Sequence, residues 1–293
     1  MAECVIGCAS NYTWNELKYW VNSLNKTNFM GDVVIVGNNI SQETIDKLSE
    51  KGVTVSPALS NARNLPPNVA RFLMIWEYLK TCGKTYDRVL TTDTKDVIFQ
   101  ANPSFDMMRW FDANPNRNLI VSSEGLLYKD EPWGNLNIQQ AFGNTIHAIL
   151  ANQLIYNVGV IAGRHEAIES LMLMIYQMSI NRPIPIVDQA VFNFLLSQEP
   201  YRKSTYFSTN EDAWAIQLGT TYEAVKSGAG DLGMIASRDP SALIGYQLTY
   251  KDGQPIIDGD TVRNKDGQVF TVVHQWDRVP KLKDAIMKKY GDN

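Results

Sequence analysis

Two carboxylates lie three positions apart in the segment Arg88-Val-Leu-Thr-Thr-Asp93-Thr-Lys-Asp96. The run 88–92 is typical of a buried strand, and a short apolar run, 97–99, follows the second carboxylate. Carboxylates at the C-terminal end of a strand lie where open α/β sheets bind their ligands. Mg²⁺ and Mn²⁺ take one or two carboxylates and fill their other positions with water and phosphate oxygens. The pair therefore predicts a divalent-metal site for a diphosphate, with a turn-capping acidic loop as the alternative.

The composition is that of an ordinary globular protein, with 293 residues, 44% hydrophobic and 20% charged. A net charge of −4 without a basic block argues against binding to nucleic acid or to an anionic membrane surface. Cys4, Cys8 and Cys82 lack metal-type spacing and suit a reducing compartment. Neither a signal peptide nor an apolar run of about 18 residues is found, so we expect a cytoplasmic protein without a transmembrane segment. The oligomeric state is left open.

Strands and helices alternate through the first part of the chain. Apolar runs predict strands at 4–9, 32–37, 53–56 and 88–92. Helical spacing, with Thr13 and Ser41 as N-caps, predicts helices at 12–25, 41–51 and 68–82. This alternation predicts an α/β fold with a Rossmann-like, doubly wound, mostly parallel sheet. The first strand is not followed by a glycine-rich dinucleotide fingerprint, and no P-loop motif occurs.

The second half is less regular. We expect strands at 118–123, 156–163 and 269–273, and helices at 165–180, 187–196 and 281–289. Residues 128–143 are rich in aromatic and polar groups with little periodicity, and predict a long loop that shapes a binding site. Asp-Gly turns within 252–271 predict β-hairpins. With no repeat or linker, the simplest organisation is a single domain, 1–293.

Taken in order, the motifs resemble those of the GT-A glycosyltransferases, and most closely the family-8-like group of glycogenin and bacterial galactosyltransferases. The resemblance covers residues 3–278 as separated motifs: Cys8-Ala9-Ser10-Asn11, Asn68-Val-Ala-Arg71-Phe, Asp93-Thr-Lys-Asp96, Asn157-Val-Gly159, Asp188-Gln189 and His274-Gln. The family's acidic motif is Asp-x-Asp. Here either Thr94 stands at its first acidic position or the motif has one extra residue. Lys95 then replaces part of the metal's charge or points away.

The resemblance implies a GT-A fold with an elaborated C-terminal half, divided into a nucleotide-binding half, 1–125, and an acceptor-binding half, 126–293. It implies a metal-dependent glycosyltransferase using Mn²⁺ or Mg²⁺. The sugar would pass from a nucleotide diphosphate sugar, with a UDP-sugar expected, to a hydroxyl of a saccharide or glycan acceptor. Retention of configuration is slightly favoured over inversion. Three alternatives stay open. A sugar nucleotidyltransferase would have a glycine-rich basic loop after the first strand, and a phosphatase with an aspartate nucleophile would have Asp-x-Asp-x-Thr there; neither motif is present. The third alternative is a non-catalytic carbohydrate-binding protein.

The resemblance also assigns roles to individual residues. The expected metal ligands are Asp93, Asp96 and His274. The expected contacts to the nucleotide sugar are Ala9, Ser10, Asn11, Arg71, Thr92, Asp93, Asn157 and Arg278. The catalytic candidates are Asp188, Gln189 and Glu124, with Asp188 or Glu124 as the general base of an inverting reaction.

Several of these residues also have a purely structural interpretation. His274 could be a hydrogen-bonded residue of the core, Asp188 a helix N-cap, and Arg71 a solvated helix residue. Trp133, Trp214 and Trp276 are candidates for stacking on sugar faces, although tryptophans more often serve in packing.

Overall fold

The computed structural model describes residues 2–59, 65–180, 182, 184, 186–228 and 239–291. Its strands are β1 (Glu3–Ser10), β2 (Asp32–Asn38), β3 (Thr54–Pro57), β4 (Arg88–Thr92), β5 (Val97–Phe99), β6 (Leu119–Leu127), β7 (Leu154–Gly163), β8 (Thr205–Ser208), β9 (Ala215–Gln217), β10 (Ile256–Asp258), β11 (Thr261–Arg263) and β12 (Val272–His274). Its helices are α1 (Trp14–Asn25), α2 (Gln42–Glu50), α3 (Pro67–Thr81), α4 (Pro103–Ala113), α5 (Pro132–Leu150), α6 (His165–Ser179), α7 (Asp188–Leu196), α8 (Tyr201–Ser204), α9 (Tyr222–Lys226), α10 (Ser241–Thr249) and α11 (Pro280–Tyr290).

The main sheet has seven strands in the order β3-β2-β1-β4-β7-β6-β8. The expected mostly parallel α/β sheet is confirmed, with one exception to a fully parallel arrangement: β7 runs antiparallel to both β4 and β6. A parallel neighbour would need a crossover over the sheet. Instead, α5 packs against α7 and the turn at 128–130, and the chain re-enters the sheet in the opposite direction.

Helices cover both faces of the sheet, which explains why the sequences of its strands are continuous apolar runs. Along β1, Cys4 and Ile6 pack into the core beneath α3 and α6, whereas Val5 and Ala9 pack into the core beneath α1. The helix N-caps predicted at Thr13 and Ser41 are confirmed. The Thr13–Glu16 capping box opens α1, and the Ser41 hydroxyl accepts from the Thr44 N–H, 3.3 Å away, to open α2.

A smaller sheet of β5, β12 and β9 lies beside the main one. β12 pairs antiparallel with β5 and parallel with β9. This strand begins three residues later than expected and ends at His274. Within the segment expected to form hairpins, β10 and β11 form an antiparallel pair. None of the helices in the described part of the chain has the length and apolar character needed to span a bilayer.

The expectation of a long loop at 128–143 is wrong. A 3₁₀ turn at Tyr128–Asp130 leads into α5, which continues to Leu150 with a non-helical break at Gly143. Pro132 occupies the first turn, and the Glu131 carboxylate accepts from the backbone N–H groups of Trp133 and Gly134. This is a cap that satisfies two otherwise unpaired donors. Only two of the five buried residues of the helix, Ile138 and Leu150, are large and apolar, so its hydrophobic periodicity is weak in the sequence.

The Thr92 hydroxyl anchors α1 to the sheet, because it accepts a buried hydrogen bond from Trp20 Nε1 at 2.8 Å. Replacing Thr92 by Val should leave the indole N–H without a partner and lower the free energy of unfolding by about 1–3 kcal/mol. Urea denaturation of the two proteins measures this loss. Thr92→Ser keeps the acceptor and should fall between them, and a Val variant as stable as the wild type would show that this bond is dispensable.

Candidate functional site

A cavity of about 750 Å³ opens where β1 and β4 end and β7 passes beside them. This is the sheet edge at which open α/β folds bind ligands. It brings together most of the residues singled out from the sequence: Ser10, Arg71, Asp93, Asp96, Glu124, Asn157, Asp188, Gln189, His274 and Arg278.

Three predicted nucleotide-sugar contacts do not line this cavity. Ala9 is buried in the core beneath α1, and the Thr92 hydroxyl is engaged by Trp20. Asn11 is exposed, and its side-chain oxygen accepts from Asn39. Ser10 is therefore the member of the 9–11 segment that reaches the cavity.

Asp93, Asp96 and His274 converge, with one potential ligand atom of each lying within 4.8 Å of the others. His274 Nε2 is 3.4 Å from Asp93 Oδ2 and 3.5 Å from Asp96 Oδ1. The pairing of β12 with β5 explains this convergence, because His274 lies opposite Val97, the residue after Asp96. Burial disfavours the charged form of Asp96, but nearby positive charge, from His274 in its protonated form and from Arg278, outweighs that effect and holds its pKa below the usual range.

The Arg71 guanidinium bridges two carboxylates. Its Nη1 contacts Asp93 Oδ1 and its Nη2 donates to Asp188 Oδ2 at 2.9 Å. Arg71 is thus an ion-paired residue of the cavity wall and not a solvated helix residue. Asp188 is the first residue of α7, and Val187 occupies the N-cap position, so the alternative that Asp188 caps this helix is wrong.

Gly159 allows β7 to pass directly beside Asp93 and His274. The Asp93 N–H donates to Gly159 O at 2.8 Å. A Cβ at position 159 would lie 2.6 Å from His274 Cε1 and 2.8 Å from Asp93 Oδ2, closer than such atoms approach. Glycine is therefore required here by the close packing of the strand against the convergent side chains.

Glu124 lies at the cavity with its carboxylate held by Asn157. The Gly159 N–H donates to Asn157 Oδ1 at 2.7 Å, which fixes the orientation of that amide. Asn157 Nδ2 therefore points at Glu124 Oε1, 2.6 Å away, and donates to it. Burial raises the pKa of Glu124 to about 7, although the hydrogen bonds from Asn157 and Gln189 act in the opposite direction.

Other cavity residues take distinct positions. Lys95 Nζ lies 3.5 Å from Glu16 Oε1 and so points away from Asp93 and Asp96. Arg278 remains partly exposed beside Asp96, with 3.9 Å between Nη2 and Oδ2. Of the three tryptophans considered for sugar stacking, Trp133 lines the cavity, whereas Trp214 and Trp276 are buried in the core and present no free face.

A residue not predicted from the sequence, Gln217 of β9, contacts His274. Gln217 is fully buried, and its Oε1 lies 2.6 Å from His274 Nδ1. No local motif marks this residue, because the two positions are neighbours only through the pairing of β9 with β12.

No family model matches the chain, and no curated protein matches it in sequence. Several solved structures share its fold. The apo structure of the bifunctional glycosyltransferase WbbM has a TM-score of 0.57 and 12% identity, covering 100% of this chain and 50% of WbbM. The chain thus spans about half the length of that protein.

Two further matches cover nearly the whole length of both this chain and the matched chain. The apo form of mouse xyloside xylosyltransferase 1 has a TM-score of 0.57 and 13% identity, covering 96% of this chain and 99% of its own. The galactosyltransferase LgtC, in complex with donor and acceptor sugar analogues, has a TM-score of 0.53 and 12% identity, with coverages of 99% and 97%. The chain therefore has the GT-A fold of these glycosyltransferases, which confirms the fold predicted from its motifs.

The raised pKa of Glu124 makes the stability of the folded protein depend on pH. The folded protein disfavours the charged carboxylate, so stability should fall as the pH rises from the ordinary value near 4.5 to about 7, and then level off. A shift of this size corresponds to about 3 kcal/mol. Glu124→Gln removes this penalty, so its stability relative to the wild type should increase across that pH range.

Chemical denaturation of the wild type and the Gln variant at several pH values measures this difference. A difference that is the same at pH 4.5 and at pH 8 would contradict the raised pKa.

Gly159→Ala should displace β7 or the side chains of Asp93 and His274, because the added methyl group has no room. We expect a protein that still folds. If the three side chains hold a divalent cation, the affinity for Mn²⁺, measured by isothermal titration calorimetry, should fall about tenfold or more. Gly253→Ala is a matched control, since the nearest atom to a Cβ there is at an ordinary contact distance of 3.5 Å. Unchanged Mn²⁺ affinity in the Gly159 variant would show that the acidic group tolerates a shift of this strand.

Proposed function

We propose that this chain is a metal-dependent glycosyltransferase. It would move a sugar from a nucleotide diphosphate sugar, with a UDP-sugar as the donor, to a hydroxyl of a saccharide or glycan acceptor. The observation that carries this proposal is the convergence of Asp93, Asp96 and His274 in a cavity at the ligand-binding edge of a GT-A sheet.

The three side chains fit a divalent cation. Two carboxylates and one imidazole nitrogen form a mixed oxygen and nitrogen donor set, which suits Mn²⁺ and is compatible with Mg²⁺. Their potential ligand atoms already lie within 4.8 Å of one another. When bound, the metal would supply positive charge that stabilises the departing diphosphate.

Two arginines, Arg71 and Arg278, would assist the departure of the diphosphate. Arg278 is partly exposed beside Asp96, so its guanidinium can reach a donor phosphate. Arg71 is held between Asp93 and Asp188, and we assign to it the orientation of both carboxylates around the donor. Fixed charges placed where negative charge develops lower the barrier without reorganisation during the reaction.

Glu124 is the better candidate for proton transfer to or from the acceptor. Asp188 is paired with Arg71, whereas Glu124 lines the cavity with a pKa of about 7, a value suited to a general base near neutral pH. We assign hydroxyl binding to Gln189 and Asn157, and stacking on a sugar face to Trp133. An inverting reaction needs such a base, whereas the resemblance to the glycogenin group favours retention. The anomeric configuration of the product, read by NMR, decides between them.

In this proposal the nucleotide-binding half, 1–125, supplies Ser10, Arg71 and the two aspartates. The acceptor-binding half, 126–293, supplies Asn157, the start of α7 and His274. The site is completed only when both halves are folded together, so the chain would act as a single domain. The free thiols of Cys4, Cys8 and Cys82 support a reducing compartment, and we place the enzyme in the cytoplasm.

A nucleotidyltransferase is a weaker candidate, because β1 ends at Ser10 and is not followed by a glycine-rich, basic loop. A non-catalytic carbohydrate-binding protein would not need a pocket for a nucleotide diphosphate. Nucleotide binding therefore distinguishes it from the enzyme.

Thermal unfolding of the purified protein with UDP, GDP, CMP and their sugars, each with Mn²⁺, Mg²⁺ or EDTA, tests the proposal. A ligand at 100 times its dissociation constant adds about 2.7 kcal/mol of stability. We expect such a shift with UDP and its sugars, dependent on the metal and absent in Asp96→Asn.

Asp46→Asn, which changes an exposed carboxylate on α2, should keep the full shift. Absence of a shift with every nucleotide, in a wild type shown to be folded, would overturn the transferase proposal and favour the carbohydrate-binding alternative.

A further inference from the structure

Gln217 lies at the end of β9 with no exposed surface. Its side-chain amide lies between the imidazole of His274 and the hydroxyl of Ser122. Oε1 is 2.6 Å from His274 Nδ1, and Nε2 is 2.7 Å from the hydroxyl oxygen of Ser122. Ser122 is also fully buried, so this chain of three residues is shielded from water.

The small sheet places Gln217 and His274 side by side. β9 and β12 are parallel, and in their register Gln217 is the partner of His274. Paired residues project to the same face of a sheet, where their side chains are in reach of each other. The contact between them is therefore set by backbone pairing and does not depend on a flexible loop.

We propose that Gln217 is a positioning residue that holds His274 in the tautomer with its proton on Nδ1. A neutral imidazole carries one proton, and a hydrogen bond from Nδ1 to Gln217 Oε1 leaves the lone pair on Nε2. Nε2 is the atom that faces Asp93 and Asp96. This inference rests on the proposed function, because it concerns how the same group accepts a divalent cation.

The direction of the Gln217 amide decides between two opposite states. With Oε1 toward His274, Nε2 of the imidazole is free to bind a metal, and the Ser122 hydroxyl accepts from the amide. With the amide reversed, the imidazole proton would move to Nε2 and would be bound by the two carboxylates, leaving no lone pair for a metal. A hydrogen bond to the second nitrogen of a metal-binding histidine typically contributes 10–100-fold to metal affinity.

The tautomer is directly observable. Long-range ¹H–¹⁵N correlation spectra of protein labelled with ¹⁵N-histidine distinguish a proton on Nδ1 from one on Nε2. The chain has three histidines, so the His274→Asn spectrum identifies the signals of His274. Recorded in alkaline buffer, and again with diamagnetic Mg²⁺, the spectra should show His274 with Nδ1 protonated. A proton on Nε2 under both conditions would overturn the inference.

Variants test the consequence for metal binding, measured as Mn²⁺ affinity by electron paramagnetic resonance. Gln217→Leu removes the acceptor and should weaken Mn²⁺ binding about 10–100-fold. Gln217→Glu, whose ionised carboxylate can only accept, should bind Mn²⁺ at least as tightly as the wild type. Gln100→Leu is the matched control. It removes an amide at the opposite end of the same small sheet, where Gln100 Nε2 donates to the backbone oxygens of Val262 and Phe270, and it should leave Mn²⁺ affinity unchanged.

The outcomes separate this inference from the proposed function. A wild type that binds no Mn²⁺ would remove the metal from the proposed function, while the tautomer would still be read from the metal-free spectrum. Equal Mn²⁺ affinity in the wild type and Gln217→Leu would instead leave the metal site intact and overturn the role of Gln217. If Gln217→Glu does not fold, the tautomer spectrum and Gln217→Leu still decide the question.

Discussion

The pairing register of β12 determines whether this site exists. The strand is three residues long, yet it pairs with β5 on one side and β9 on the other, which aligns His274 with Val97 and with Gln217. Val272, Phe99 and Ala215 face the core beneath α1, whereas Val273, Ile98 and Ile216 face a separate apolar cluster that includes Leu282 and Ile286 of α11. Because side chains alternate, a slip by one residue would exchange these two apolar sets and turn His274 away from the aspartates. Burial of two hydrophobic faces thus fixes the position of a polar side chain.

The cavity has to accommodate several carboxylates at close range. Arg71 neutralises part of the charge of Asp93 and Asp188, and Arg278 lies beside Asp96. Glu124 lowers the repulsion in another way, since its raised pKa leaves it partly protonated near neutral pH. Asp93 and Asp96 still face each other across His274, so negative charge remains concentrated at one point. A cation at that point would relieve the repulsion that the arginines leave uncompensated.

Local sequence signals were sufficient where local interactions decide the structure. The capping box at Thr13, the apolar strands of the N-terminal half and the aspartates at the end of β4 were predicted because each depends on adjacent residues. Helix α5 was missed because its buried side includes Gly134, Asn137 and Ala141, whose spacing is helical but whose hydrophobicity is low. The direction of β7 and the role of Gln217 depend on pairing between distant segments, which no local pattern records.

The acidic motif shows how the chain accommodates one more residue than the Asp-x-Asp pattern. Thr94 turns inward, where its hydroxyl donates to Cys8 O at 3.0 Å and its methyl group occupies the space that a side chain at Gly7 would need. Lys95 turns outward to Glu16. The side chains of the two middle residues are thus engaged by Cys8 and Glu16, and Asp93 and Asp96 are the residues of the motif that converge on His274. This geometry favours the interpretation with an inserted residue over the one that places Thr94 at the first acidic position. The absence of a side chain at Gly7 makes room for the longer turn.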